Sequence, residues 1–204
     1  MHIAVAGNIG AGKTTLTGLL AHHYGWEAQF EEVDENPYLS DFYEDMERWA
    51  FNLQVYFLNK RLNGIVAIKN AKQSVIQDRT IYEDACIFAT NLHSMGLMST
   101  RDYTNYRSLF DLMMSLVAPP DLIIYLKASV PTLVSQIQKR GREYEAGIRL
   151  DYLSKLNDFY NDWINKYVGG KKLIIDVDVL KFSEKAEDLS IVIDKVNAEL
   201  HGLF

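Results

Sequence analysis

The 204-residue chain has one cysteine, Cys86, so an internal disulfide is excluded, and the composition suits a reducing cytosol. Cys86 itself reads as a small buried residue. Five histidines (His2, His22, His23, His93 and His201) show none of the spacings that build a structural metal site. Basic residues are outnumbered 21 to 27, and the net charge of −6 argues against a general nucleic-acid binder. No apolar run approaches the roughly 18 residues of a membrane span. The N-terminus carries none of the basic, apolar and cleavage regions of a signal peptide, so a cytoplasmic location without membrane partners is expected. There is no repeat, low-complexity stretch or linker. With 48% hydrophobic residues, the chain is expected to form one domain over residues 1–204 with a sizeable core.

What is present begins at once. Residues 7–14 read Gly-Asn-Ile-Gly-Ala-Gly-Lys-Thr, matching G-x-x-x-x-G-K-[ST] at every fixed position. An apolar run, 2–6, precedes it, and leucines at helical spacing follow over about 12–24. Strand, glycine-rich turn and helix form the context in which such a loop binds phosphate. Gly7, Gly10 and Gly12 permit a tight curl with N–H groups turned inward, and the helix N-terminus adds partial positive charge. The stretch Gly7, Asn8, Ile9, Gly10, Ala11, Gly12, Lys13, Thr14 and Thr15 is therefore the expected nucleotide cradle. Lys13 reaches the β- and γ-phosphates, and the Thr14 hydroxyl ligates Mg²⁺.

The remaining pattern alternates strand and helix. Strands are predicted at 27–30, 74–77, 122–126 and 173–175, and helices at about 46–72, 81–95, 103–117, 130–140, 149–167 and 184–201. Asn36-Pro37 forces a turn, and Pro119-Pro120 breaks the chain. Near-continuously apolar strands between helices predict an α/β fold with a five-stranded parallel sheet covered on both faces. Ligands bind such sheets at the carboxyl ends of the strands. That rule selects the loop after strand one, Glu31 after strand two, and Asp78-Arg79 after strand three.

These positions carry the residues that phosphoryl transfer requires. Asp78 can serve Mg²⁺; the competing reading makes it the cap of a helix starting at 79 or 80. Arg79 can steer an acceptor or clamp a phosphate. Lys139, Arg140 and Arg142, with Arg149 nearby, form a basic knot in an acidic protein. They read as a lid over a triphosphate at about 139–149, or as cations at a helix C-terminus. The acidic cluster Glu31, Glu32, Asp34 and Glu35 offers one carboxylate as general base, or a solvated loop. A GTPase switch is excluded, because no glycine has Asp three residues before it and the base-reading N-K-x-D is absent.

Beyond the phosphate loop, the segments Phe30–Tyr38, Leu53–Leu58, Asp78–Asp84 and Lys139–Glu145 closely resemble the deoxyribonucleoside kinases over nearly the whole length. The likeness is greatest to the bacterial branch containing deoxyadenosine, deoxyguanosine and deoxycytidine kinases, deoxyadenosine kinase above all. The resemblance implies the P-loop NTPase fold, with ATP as phosphate donor, Mg²⁺, and transfer to a deoxyribonucleoside 5′-hydroxyl. It casts Glu31 as the base, Arg79 as its holder, and Asp78 with Thr14 at the metal. Gln54 reads the base edge, with Arg61 and Asp84 beside it and Phe88 stacking on the ring. Tyr43 and Glu145 bond the 3′-hydroxyl, while Lys139, Arg140 and Arg142 form the lid. A homodimer through the long helix, and feedback by a deoxynucleoside triphosphate, are also implied. Two positions depart from the pattern: Glu32 stands where the family often has proline, and Gln136 where many relatives have arginine. A thymidylate-type kinase is the nearest rival, but its phosphorylated acceptor calls for a cation where this chain is acidic. A non-catalytic ATP sensor would not need Glu31 and Arg79 together.

Overall fold

The structure is a computed structural model and describes residues 1–31, 36–142, 145 and 147–202. Glu32, Asp34 and Glu35 of the acidic cluster, and Glu143 and Tyr144 of the lid segment, lie outside the described residues.

Five strands form one parallel sheet in the order β2-β3-β1-β4-β5: β1 (His2–Gly7), β2 (Glu27–Gln29), β3 (Val75–Asp78), β4 (Leu122–Lys127) and β5 (Lys171–Asp176). The predicted α/β class and strand count are thus observed. The chain leaves central β1 toward β2 and β3 on one side, then returns to lay β4 and β5 on the other. This reversal opens a crevice at the strands' carboxyl ends.

Residues 3–6 of β1 and 122–126 of β4 form continuous apolar runs because both faces of the sheet are covered there. In β1, Ala4 and Ala6 join one core with Ile123 and Tyr125 of β4, while Ile3 and Val5 join the opposite core with Leu122, Ile124 and Leu126. Helices α1 (Lys13–Tyr24), α7 (Val130–Arg140) and α9 (Ala186–His201) contribute Leu16, Leu20, Leu133, Val192 and Val196 to the second core. The first core takes Leu53, Leu58 and Ile65 of α3 (Met46–Asn70), Tyr106 and Phe110 of α6 (Thr100–Met114), and Leu156 and Tyr160 of α8 (Leu150–Lys166). Edge strand β5 exposes Ile174 between buried Leu173 and Ile175.

Several boundaries differ from the sequence reading. Helix α3 ends at Asn70, where Ala71 turns to an extended conformation, and α6 runs Thr100–Met114 because Ser99 caps it by accepting the Asp102 N–H at 3.1 Å. The expected helix 81–95 has three parts: α4 (Ile81–Glu83), a π-helical turn (Asp84–Ala89) and α5 (Thr90–Ser94). A short α2 (Leu39–Glu44) was not anticipated; its six residues are too few to display periodicity.

The phosphate loop is shaped by backbone that only glycine adopts easily. Gly10 has φ +84°, and a Cβ there would lie 2.9 Å from the Leu133 carbonyl oxygen and from Ile137 Cγ1. Gly25, capping the end of α1 at φ +67°, faces open space. Gly25→Ala should therefore cost about 1–2 kcal/mol, the left-handed penalty alone, and Gly10→Ala at least about 1 kcal/mol more, because the α7 backbone must move. Denaturant unfolding of both variants checks this; equal losses would contradict the packing argument.

Candidate active site

The crevice holds two adjoining cavities that share the phosphate loop. The first is lined by Ile9, Gly10, Lys13 and Thr14, by Glu31, Arg79, Arg140 and Arg142, and by Tyr43, Gln54, Asp84, Phe88 and Glu145. Apart from Arg61, every residue expected to contact the acceptor lines this one space. The second is lined by Gly10 to Thr15 on one side, and by Gln136, Lys139, Arg140, Arg142 and residues of the 177–184 segment on the other.

The loop's own contacts refine the sequence reading. Lys13 Nζ donates to the Asn8 carbonyl at 3.1 Å, so the side chain folds over the loop. Burial, with Arg79 nearby, lowers its pKa to about 8 against the pull of Asp78, Glu83 and Glu31. The Gly7 N–H, expected to turn inward, instead donates to the Glu83 carboxylate at 3.2 Å. Asn8 lines neither cavity; its Nδ2 donates to the Leu153 carbonyl (3.2 Å) and to Asn157 Oδ1 (3.3 Å) of α8.

Asp78 ends β3 and pairs in register with Val5 of β1. It does not cap a helix: Thr80 does, accepting the Glu83 N–H at 3.3 Å. Asp78 is 1% exposed. Its Oδ2 accepts the Thr14 hydroxyl at 2.6 Å, and its Oδ1 is buried without a hydrogen-bond partner among the described residues. One carboxylate beside one hydroxyl suits Mg²⁺, which keeps several waters and takes further oxygens from phosphates.

Glu31 lies between two arginines. Arg61 Nη2 donates to its Oε1, and Arg79 Nε lies 3.2 Å from its Oε2. Arg61 also donates from Nε to Asp84 at 3.2 Å. Arg61 thus stands behind the first cavity, not in it, tying Asp84 to Glu31. Burial would raise the Glu31 pKa, but the charges of Arg79 and Arg61 outweigh it and hold the carboxyl at about 2. For Asp84, burial prevails over Arg61 and pushes the carboxyl up to about 7. Arg79 has a left-handed backbone, φ +72°, and its guanidinium sits 4.5 Å above the Phe88 ring. Gln54 is buried, and its Oε1 has no hydrogen-bond partner among the described residues.

At the opposite wall, Arg140 grips Glu145 through Nε at 3.1 Å and through Nη2, and Arg142 Nη1 lies 3.8 Å from the same carboxylate. Lys139 bridges to Glu184 at 3.1 Å on the rim of the second cavity. Arg149 lines neither cavity and pairs with Asp151 on the surface. The sequence reading missed Tyr152, Leu39 and Phe42 in the first cavity, and Val177, Leu180, Lys181, Phe182 and Ser183 in the second. The last group follows the carboxyl end of β5, which the strand-end rule could have flagged.

A phosphate cradle opening onto a cavity that holds a carboxylate kept ionised by two arginines defines a P-loop phosphotransferase. Comparison with known proteins narrows the class. The family model "Deoxynucleoside kinase" matches residues 3–201. The deoxyadenosine/deoxycytidine kinase of Bacillus subtilis is 38% identical over 201 residues, covering 98% of this chain and 93% of its own. The deoxyguanosine kinase of Lactobacillus johnsonii is 38% identical over 207 residues, covering 97% and 92%. The deoxyadenosine kinase from M. mycoides, solved with dATP bound, superposes with a TM-score of 0.86 at 29% identity, covering 97% of this chain and all of the other. The chain belongs to the deoxynucleoside kinase family.

The charge arrangement has a measurable consequence for stability. Glu31 titrates near 2 when folded, against an ordinary 4.5. Its contribution is therefore present above about pH 4.5 and lost as pH falls toward 2; its full size is on the order of 3 kcal/mol. Glu31→Gln should flatten the stability–pH curve in that window, as read by denaturant unfolding at stepped pH. An unchanged slope would contradict the pairing.

Proposed function

We propose that the enzyme transfers the γ-phosphoryl group of ATP to the 5′-hydroxyl of a deoxyribonucleoside, with deoxyadenosine as its preferred acceptor. One observation carries this reading: the cavity meeting the phosphate loop ends in Glu31, a carboxylate, which suits a neutral hydroxyl and would repel an acceptor phosphate.

In this reading the acceptor's base lies by Gln54, Asp84 and Phe88. The Gln54 amide both donates and accepts, matching the adenine edge, and its unpartnered Oε1 is available to an exocyclic amine. Tyr43 and Glu145 bond the 3′-hydroxyl at the opposite wall. The 5′-hydroxyl reaches Glu31, which takes its proton while Arg79 holds both in place. A carboxylate of low pKa suffices, because in a loose transition state the hydroxyl becomes acidic only as its bond to phosphorus forms. Lys13, Arg140 and Arg142 surround the migrating group, with Arg140 and Arg142 exchanging Glu145 for phosphate oxygens as the 139–149 segment acts as a lid. Thr14 and Asp78 would hold Mg²⁺, which when bound would supply neutralising charge for the phosphates. The second cavity takes the donor nucleoside, between the loop and the 177–184 segment.

A homodimer through α3 and α6 belongs to the same reading, supported by the exposed Val66, Leu112 and Leu116. So does inhibition by a deoxynucleoside triphosphate, whose base and phosphates would span the acceptor cavity and the phosphate loop in one molecule. A cytoplasmic setting agrees with the single free cysteine.

Assay of the four deoxyribonucleosides, adenosine and thymidine monophosphate with ATP–Mg²⁺ tests the proposal. Deoxyadenosine should turn over strongly, adenosine weakly and the monophosphate not at all. Glu31→Gln should retain ATP binding and lose about two to four orders of magnitude in kcat. Turnover of the monophosphate alone would make this a nucleotide kinase, and no turnover with intact ATP binding would favour a sensor.

A further inference from the structure

Glu83 is wholly buried, and none of the roles above uses it. Its carboxylate accepts three hydrogen bonds from three different parts of the site. Oε1 takes the Gly7 N–H at 3.2 Å and the Tyr160 hydroxyl at 2.8 Å, and Oε2 takes the Thr80 N–H at 2.6 Å. Gly7 is the first residue of the phosphate loop. Thr80 directly follows Arg79, whose left-handed backbone aims its guanidinium at Glu31. Tyr160 belongs to α8, the helix that follows the arginine-bearing segment.

We infer that Glu83 is a positioning residue for phosphoryl transfer, clasping the donor loop, the Arg79 turn and α8 at fixed mutual distances. A helix N-terminus alone would need only the Thr80 bonds. The capping-box geometry accounts for one oxygen of Glu83 and leaves the other free to reach across 76 residues to Gly7 and 77 to Tyr160. The clasp has a second strand at the next residue, since Asn8 bonds Leu153 and Asn157 of the same helix. Helix α8 is thereby hydrogen-bonded to two successive residues of the phosphate loop, one of them through Glu83.

The consequence falls on turnover more than on binding. ATP is gripped by loop N–H groups and Lys13, and the nucleoside by Gln54 and its neighbours; each set is local. In-line transfer depends on the distance between the sets, and a misplacement of about 1 Å can cost on the order of 100-fold in rate. In Glu83→Gln a single oxygen remains. If it serves Gly7 and Tyr160, the new NH₂ faces the Thr80 N–H, donor against donor; if it serves Thr80, the other two lose their acceptor.

The inference rests on the kinase reading, and the test separates the two. Wild type, Glu83→Gln and Tyr160→Phe are compared by steady-state kinetics per folded molecule and by residue-resolved amide hydrogen exchange without substrates. Expected for Glu83→Gln is a kcat lowered roughly 10- to 100-fold, with both KM values within about threefold of wild type. Exchange at Gly7 and Thr80 should accelerate while β4 amides stay protected. Tyr160→Phe keeps its ring and leaves two of the three bonds; it should lose about 3- to 10-fold in kcat, and it decides the matter if Glu83→Gln does not fold. Wild-type kcat in the folded variants, or a loss confined to KM or to the folded fraction, would overturn the positioning role. A wild-type protein that phosphorylates no nucleoside would instead sink the kinase reading, and unchanged exchange at Gly7 and Thr80 would sink the clasp independently.

Discussion

A carboxylate buried between two arginines is the constraint on which the site depends. Glu31 could not stay ionised in this crevice alone, since removing such a charge from water costs several kcal/mol without compensation. Arg79 and Arg61 compensate it, and Arg61 in turn meets Asp84. The line runs Asp84, Arg61, Glu31, Arg79, with Glu31 ionised between the two arginines and burial holding the Asp84 carboxyl at about 7. Each residue comes from a different part of the fold: the π-helical turn, α3, the exit of β2 and the exit of β3. Moving any one of these elements strands a charge. The pairing of Val5 with Asp78 and the left-handed turn at Arg79 are therefore conditions for the charge network as much as details of backbone geometry.

The network also divides labour between the cavities. On the donor side the phosphate loop, Lys139, Arg140 and Arg142 create a positive field suited to a triphosphate. On the other side, in the proposed reading, Glu31, Asp84 and Glu145 would supply acceptors for hydroxyl and amine hydrogens of the nucleoside. Lys13, Thr14, Arg140 and Arg142 line both spaces, which places the cations where a phosphoryl group would cross. A protein of net charge −6 can bind a polyanion because these charges are local.

Much of this was legible in the sequence, for identifiable reasons. The phosphate loop is local chemistry, encoded in eight consecutive residues with its strand and helix. Buried β1 and β4 are continuous apolar runs. Most residues that line the cavities were named beforehand because strand ends in a parallel sheet converge and because the family resemblance pointed to them. What stayed hidden depends on distance along the chain. Of the apolar positions that recur at helical spacing along α3, Leu53 and Ile65 are buried while Trp49, Tyr56, Phe57 and Ile68 are half-buried; the buried face also takes Ala50, Leu58 and the polar Gln54 and Arg61, which only the cavity and the charge network explain. On sequence grounds Asp78 could serve Mg²⁺ or cap a helix; hydrogen bonding assigns the cap to Thr80. Tyr152 and the 177–184 segment carry no motif, and a buried glutamate in a capping box gives no sign of a second oxygen holding Gly7 and Tyr160.

The most direct test of the account is the position of the 5′-oxygen. A crystal structure with deoxyadenosine, Mg²⁺ and a non-hydrolysable ATP analogue should place that oxygen within about 3.2 Å of a Glu31 carboxylate oxygen, in line with the γ-phosphorus. The adenine edge should then meet Gln54. A nucleoside bound with its 5′-hydroxyl turned away from Glu31, or hydrogen-bonded to another carboxylate, would contradict the central claim.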